Sequence, residues 1–265
     1  MATLDLDGRT IYYEEHGSGD PLLCVMGLAT DTVGWTLQLP AFAERHRTIV
    51  FDNRDVGRSS YVEGPYEIAD MADDALAVAD SLSLESFHLL GVSMGGAVAQ
   101  EVALSVPERV RTLTLAVTFA GGSNYARALA DHWGTRATKL SREERVDELL
   151  LLTLSEGFYE VQGAVDFVRN MALQNPNPQP PEAFGRQLEA SSRHDARGRL
   201  GALTMPVHVI GAEHDILVPV WKSVEVAELI PEAKLTVVER AAHGLQLERA
   251  QEFNEIVLGF IAERS

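Results

Sequence analysis

Cysteine is almost missing: the 265-residue sequence holds one, Cys24, inside the apolar run PLLCVMG. A lone thiol excludes an intrachain disulfide and supplies no thiolate metal site, so Cys24 reads as a buried structural residue. Basic residues are scarce as well. The 22 Lys and Arg stand against 39 Asp and Glu, a formal net charge of −17. That balance argues against a nucleic-acid partner and against an anionic membrane surface. Long hydrophobic runs are also lacking. The longest, such as LLLLTL, fall far short of the ~20 residues that span a bilayer. The opening MATLDLDGRT has neither a basic segment nor an apolar core of the secretory kind. A cytoplasmic protein acting on a small molecule, with no membrane contact, is the expectation; composition is silent on oligomeric state.

What is present is a globular mixture, 46% hydrophobic and 23% charged, with enough apolar material for a sizeable core. TLDL and TIYYEE flank Asp7-Gly8, a favoured type I′ turn pair, and predict a hairpin. PLLCVMG is continuous in its apolarity, the pattern of a strand buried on both faces. A strand in HRTIVF, a helix over 67–82, a strand in FHLLG, a helix from GGAVAQ to Pro107 and a strand in RTLTLAVTF follow. Such alternation implies a mostly parallel, doubly wound sheet.

The rhythm breaks after Gly121-Gly122. Residues 123–199 offer no convincing strand but several helices, one opened by a Ser141 capping box, and NPNPQPP separates two of them. Strand and helix resume with MPVHVIGAEHD, a helix near 220–229, KLTVVE and a last helix from about 248. The division is therefore an α/β core of residues 1–122 and 200–265 with a helical insertion of residues 123–199.

Within this frame LLGVSMGGAVAQ puts Ser93 between Gly91 and Gly95, at a junction of strand and helix. Gly-x-Ser-x-Gly alone is weak evidence. In a strand–turn–helix it describes a nucleophile elbow, a turn that exposes a serine hydroxyl at the end of the sheet. A serine hydroxyl needs a neighbouring imidazole to accept its proton, and a carboxylate to orient that imidazole.

The chain resembles an α/β-hydrolase over nearly its whole length. The resemblance implies partners in the order Ser, acid, His. GAEHDILVP places Asp215 after an apolar strand, and VVERAAHGLQLE places His243 after the last one. Ser93, Asp215 and His243 are the expected catalytic residues. The resemblance also implies an oxyanion hole from the backbone N–H groups of Met94 and Leu28. Here LLCVMGLATD carries Met26-Gly27 where many relatives have His-Gly. FDNRDVGRSS departs similarly, with Asp55 at a position often occupied by Gly; Asp52, Arg54 and Arg58 are expected to brace that loop.

By the same resemblance the insertion is a cap over the active site. Leu129, Trp133, Leu150, Leu154, Phe158, Phe167 and Met171 are candidates to face the pocket, and Trp35, Trp133, Val218 and Leu245 are the expected substrate contacts. An apolar pocket with few polar anchors follows. His214-Asp215 has no further ligand at metal-binding spacing, so no metal or other cofactor is expected.

The chemistry narrows from the elbow. Serine in place of aspartate argues against dehalogenase and epoxide hydrolase chemistry, and Met94 in place of Trp against prolyl aminopeptidases. SMGG and RHDARGRLGALTMPVHVIG are similar to 3-oxoadipate enol-lactonases and neighbouring esterases. An acidic substrate of that kind requires a cation, with Arg127, Arg136, Arg169 and Arg193 as candidates. Hydrolysis of carboxylic esters or lactones is the expectation. A carbon–carbon bond hydrolase of ring-fission diketones and a hydrolase-fold binding protein with little turnover stand as alternatives.

Overall fold

The computed structural model describes residues 1–264. The strands are β1 (Ala2–Leu6), β2 (Arg9–His16), β3 (Pro21–Val25), β4 (Arg47–Phe51), β5 (Phe87–Val92), β6 (Val110–Ala116), β7 (Val207–Ala212) and β8 (Lys234–Val238). They form one sheet in the order β1-β2-β4-β3-β5-β6-β7-β8. β1 and β2 pair antiparallel, as do β2 and β4, and every pairing from β4 through β3 to β8 is parallel. The first hairpin turns at Asp7 and Gly8, both at positive φ, as a type I′ turn requires.

Alternate residues of the central strands feed two cores. Leu23, Val25, Leu89, Leu113 and Val209 face one side; Leu22, Cys24, Leu90, Val92 and Ile210 face the other. Helices cover both sides: α1 (Leu39–Ala43), α2 (Ile68–Ser81) and α3 (Met94–Ser105) come from the first half. Between β6 and β7 lie α4 (Asn124–Ala137), α5 (Arg142–Thr153), α6 (Glu156–Tyr159), α7 (Ala164–Gln174) and α8 (Pro181–Arg193). After β7 come α9 (Val220–Leu229), α10 (Leu245–Glu248) and α11 (Ala250–Ala262). The Ser141 capping box is present, with Ser141 accepting from the Glu144 N–H and Glu144 reaching back to Ser141.

The helices of the insertion leave the sheet and return to it at one place. Gly121 and Asp195 form an isolated bridge, and the Ala196 N–H donates to the Ala120 carbonyl at 2.8 Å. Among the described residues no helix is long and apolar enough to cross a membrane.

Parallel strands all end at the same edge of the sheet, and ligand sites of open α/β folds form outside that edge. Leu28 follows β3, Ser93 follows β5, Asp215 follows β7 and His243 follows β8. Four segments remote in sequence thus meet at one edge.

Candidate active site

Ser93 sits between the end of β5 and the start of α3 with φ 57° and ψ −123°. A non-glycine residue in such a region costs of order 1–3 kcal/mol, so the surroundings must hold it. The Ser93 N–H donates to the Ala116 carbonyl at 2.9 Å. Its own carbonyl accepts from the Gly96 N–H at 2.9 Å and from Thr118 Oγ1 at 2.6 Å.

The flanking glycines are dictated by space. A Cβ on Gly91 would lie 2.3 Å from the Gly95 carbonyl oxygen, and one on Gly95 would lie 2.2 Å from that of Val25. Neither obstacle is a side chain that could swing away. Gly95→Ala is therefore expected to destabilise the protein by on the order of 3 kcal/mol, the upper end of overpacking costs. Denaturant unfolding of the variant measures this, and wild-type stability would refute the crowding.

Asp215 is 5% exposed and His243 8% exposed. Asp215 Oδ1 accepts the N–H groups of Leu217 and Val218 at 2.9 and 2.7 Å. Its Oδ2 lies 2.7 Å from His243 Nδ1, and His243 Nε2 lies 2.9 Å from Ser93 Oγ. An ionised carboxylate only accepts, so the proton of neutral His243 belongs on Nδ1. Nε2 is then free to accept from the serine hydroxyl. The two loops are tied together where the His214 N–H meets the Ala241 carbonyl at 2.8 Å, and the Gly244 N–H donates to the Thr153 carbonyl of α5 at 2.6 Å.

Gly27 lies directly against the serine, since a Cβ there would come within 3.0 Å of Ser93 Cβ. The next residue, Leu28, lies outside helix and strand, and its N–H has no acceptor among the described residues. Met94 opens α3, so its N–H has no partner one turn back. Two unpaired donors thus flank the serine. Met26 buries its side chain among Trp35 and Phe42, while its carbonyl accepts from Asn53 Nδ2 at 2.9 Å.

A cavity of about 260 Å3 opens over Ser93 and His243, close to the lower end of small-molecule sites at ~300–1,000 Å3. Trp133 lines it, as expected, together with Leu28. Trp35, Val218 and Leu245 do not. Trp35 is fully buried in the core at the end of a 3-10 turn whose Val33 and Gly34 face the cavity instead. Val218 donates its N–H to Asp215, and its neighbour Leu217 reaches the cavity. Leu245 is fully buried in the core, and the flanking Gly244, Gln246 and Leu247 line the pocket.

The insertion contributes one complete helix face. Arg142, Arg145, Val146, Leu149, Leu150 and Thr153 of α5 all line the cavity, at the three- and four-residue spacings of a single helical stripe. Leu150 and Met171 are among the expected residues. Leu129, Leu154, Phe158 and Phe167 are absent from the lining; Phe167 is 58% exposed.

The pocket is also more polar than its sequence suggests. Asn175, Asn177 and Gln179 line it, as does the buried Asp31, whose carboxyl is pushed above the usual range by burial. The cations differ too. Arg127 bonds to Asn124, while Arg136, Arg169 and Arg193 pair with Glu148, Asp147 and Glu67, respectively, and none lines the cavity. Arg142 and Arg145 do line it. They donate to backbone carbonyls at the ends of α7 and α4 and meet no carboxylate among the described residues.

The loop after β4 is braced as expected. Asp52 accepts from the Thr32 N–H and from the N–H and Nε of Arg58, and Arg54 Nε pairs with the buried Asp74 at 2.6 Å. Asp55, fully buried, receives both Nε and Nη2 of Arg186 from α8. The unusual acid in this loop thus anchors the insertion.

Residues 20–250 match the family described as the alpha/beta hydrolase fold. The chain belongs to the α/β-hydrolase family. A relative from Azorhizobium caulinodans named as the carbamate hydrolase RutD is 32% identical, over 96% of this chain and 95% of that protein. The 3-oxoadipate enol-lactonase 2 of Acinetobacter baylyi is 27% identical, over 96% of this chain and 94% of that one. Among solved structures, a thermophilic esterase from Thermogutta terrifontis superposes with a TM-score of 0.87 at 25% identity, covering 99% of this chain and 97% of the other. This α/β-hydrolase is thus similar to enzymes named for carbamate, lactone and ester hydrolysis.

Proposed function

We propose that the protein is a serine hydrolase of carboxylic esters and lactones that works through an acyl-enzyme. The observation that carries this reading is the unbroken line from Ser93 Oγ through His243 to Asp215, at 2.9 and 2.7 Å.

In the first half-reaction His243 Nε2 takes the Ser93 hydroxyl proton while Oγ bonds to the substrate carbonyl carbon. The carbonyl electron pair moves onto oxygen, where the Leu28 and Met94 N–H groups stabilise it. Collapse of this intermediate breaks the bond to the leaving alkoxide, which takes the proton from His243. In a lactone the released alcohol stays attached to the acyl chain. A water molecule then gives its proton to His243 and attacks the acyl carbon. Expulsion of Ser93 Oγ, reprotonated by His243, frees the acid. Asp215 holds the imidazole and offsets its transient charge throughout.

A carbamate ester presents the same carbonyl to the same groups, so it is a second substrate class, favoured by the name of the Azorhizobium relative. Arg142 and Arg145 further favour substrates that carry a negatively charged group, because both line the cavity and neither pairs with a carboxylate among the described residues.

The test uses purified protein with p-nitrophenyl acetate and butyrate, and a fluorophosphonate probe with the modified peptide identified by mass spectrometry. Steady turnover and modification at Ser93 are expected. Modification without steady turnover would favour the carbon–carbon bond hydrolase or the binding protein. A protein that neither turns over nor labels refutes the reading.

A further inference from the structure

The donor peptide of the oxyanion loop lies between two others, and each of these is pinned. On one side, Asn53 holds the Met26 carbonyl at 2.9 Å. On the other, Leu28 and Ala29 share a peptide group that is held at both ends. Thr30 Oγ1 donates to the Leu28 carbonyl at 3.2 Å, and the Ala29 N–H donates to Gln187 Oε1 at 3.0 Å. Ala29 is at φ 61°, a conformation that a non-glycine residue leaves unless it is held there. The Leu28 N–H belongs to the peptide between the pinned pair, so its direction follows from theirs.

Gln187 alone among these anchors comes from the helical insertion. It is fully buried on α8, and its amide cannot turn over. Nε2 donates to the Arg54 carbonyl at 2.9 Å, and Oε1 also accepts from Gln179 Nε2 at 2.9 Å. Arg54 is itself fixed by Asp74 and by the Asp70 carbonyl at 2.5 Å. The acceptor facing Ala29 is therefore the oxygen, held in place by both core and insertion.

We propose that Gln187 is a positioning residue for the oxyanion hole: by holding the Ala29 N–H it aims the Leu28 N–H at the reacting carbonyl oxygen. The inference rests on the serine-hydrolase reading above. Gln187 touches no substrate and moves no proton; it acts through the backbone of Leu28 and Ala29.

The test compares four variants, one of them (Gln187→Ala) in reserve, with wild type by fluorophosphonate labelling rate at Ser93, by kcat and KM on p-nitrophenyl butyrate, and by Tm. Gln187→Met keeps the side-chain length and removes the acceptor. It is expected to lower kcat and the labelling rate together by about 10- to 100-fold, less than the ~10²–10³-fold for outright loss of a hole donor, with KM within two-fold (about). Gln187→Glu retains an acceptor for Ala29 and, as a neutral carboxyl, a donor to the Arg54 carbonyl, and it is expected to label faster than Gln187→Met. Arg186→Met cuts another tie between α8 and the core without touching the loop, and is expected to lower Tm while kcat stays within about two-fold, since the hole donors are untouched. Equal kcat losses in Gln187→Met and Arg186→Met that track Tm would overturn the proposal, as would unchanged labelling in Gln187→Met. Should Gln187→Met fail to fold, a labelling rate in Gln187→Glu no better than in Gln187→Ala overturns it instead. Wild type that does not label at Ser93 refutes the hydrolase reading itself, a result distinct from these.

Discussion

Ser93→Ala is expected to lower kcat on p-nitrophenyl esters by about 10⁶-fold, the scale of nucleophile loss in serine hydrolases, and to abolish fluorophosphonate labelling. The size follows from what remains. His243 is still oriented by Asp215 at 2.7 Å, and the Leu28 and Met94 donors are backbone groups that the substitution leaves in place. A bound ester would still be polarised, but no oxygen would lie 2.9 Å from Nε2 to receive the acyl group. The fold should survive. Alanine tolerates φ 57° about as poorly as serine does, and the contacts that enforce it run to backbone atoms of residue 93 and to Thr118. Circular dichroism and Tm close to wild type, with turnover at background, would complete the result. Turnover within tenfold (~) of wild type, against the loss expected of a nucleophile, would sink the assignment of Ser93.

Asp215→Asn is expected to cost about 10⁴-fold in kcat, by analogy with the corresponding change in a serine protease, while the geometry stays intact. The local hydrogen bonds explain why an isosteric change is so damaging. Leu217 and Val218 point their N–H groups at Oδ1, so an asparagine must leave its oxygen there and turn its amide nitrogen toward His243. That nitrogen donates, so Nδ1 must accept, and the imidazole proton moves to Nε2. The histidine then presents a hydrogen where Ser93 needs an acceptor. Steady-state kinetics of the variant, with Tm as a control, measure the effect. A loss smaller than about tenfold, far from the protease case, would mean that Asp215 does not set the tautomer.

The elbow was legible because its determinants are local. Gly91, Ser93 and Gly95 fall within five consecutive positions, and the runs on either side announce strand and helix. Asp215 and His243 were legible because both follow apolar strands, and parallel strands end at one edge whatever their separation in sequence. Direction around a turn was not. Trp35, Val218 and Leu245 lie within a residue or two of cavity-lining positions, yet face the core or contribute only an N–H to the site. Adjacency in sequence does not say which way a side chain points: consecutive residues of a helix diverge by ~100°, and Val218 lies in a bend ahead of α9. The α5 stripe was recoverable in part. The Ser141 capping box fixes where that helix starts, and from there Arg142, Arg145, Val146 and Leu149 fall on one face with Leu150 and Thr153. What no local pattern discloses is that this face, rather than its neighbour, turns toward Ser93. Gln187 gave no signal at all, because its partners Ala29 and Arg54 lie more than a hundred residues away.

The bridge between Gly121 and Asp195 has a consequence for how such an enzyme diversifies. The excursion that carries α4 through α8 begins and ends at neighbouring points on the sheet edge. Closing a loop costs little more when it is lengthened, so the core tolerates a different excursion between the same two ports. Ser93, Asp215 and His243 all lie outside it. The excursion therefore behaves as an exchangeable cassette, and a graft from a relative could retune substrate choice while leaving the chemistry intact. The graft must reproduce the ties that the present excursion makes to the core: the Thr153 carbonyl on the Gly244 N–H, Arg186 on Asp55 and the Gln187 oxygen on the Ala29 N–H.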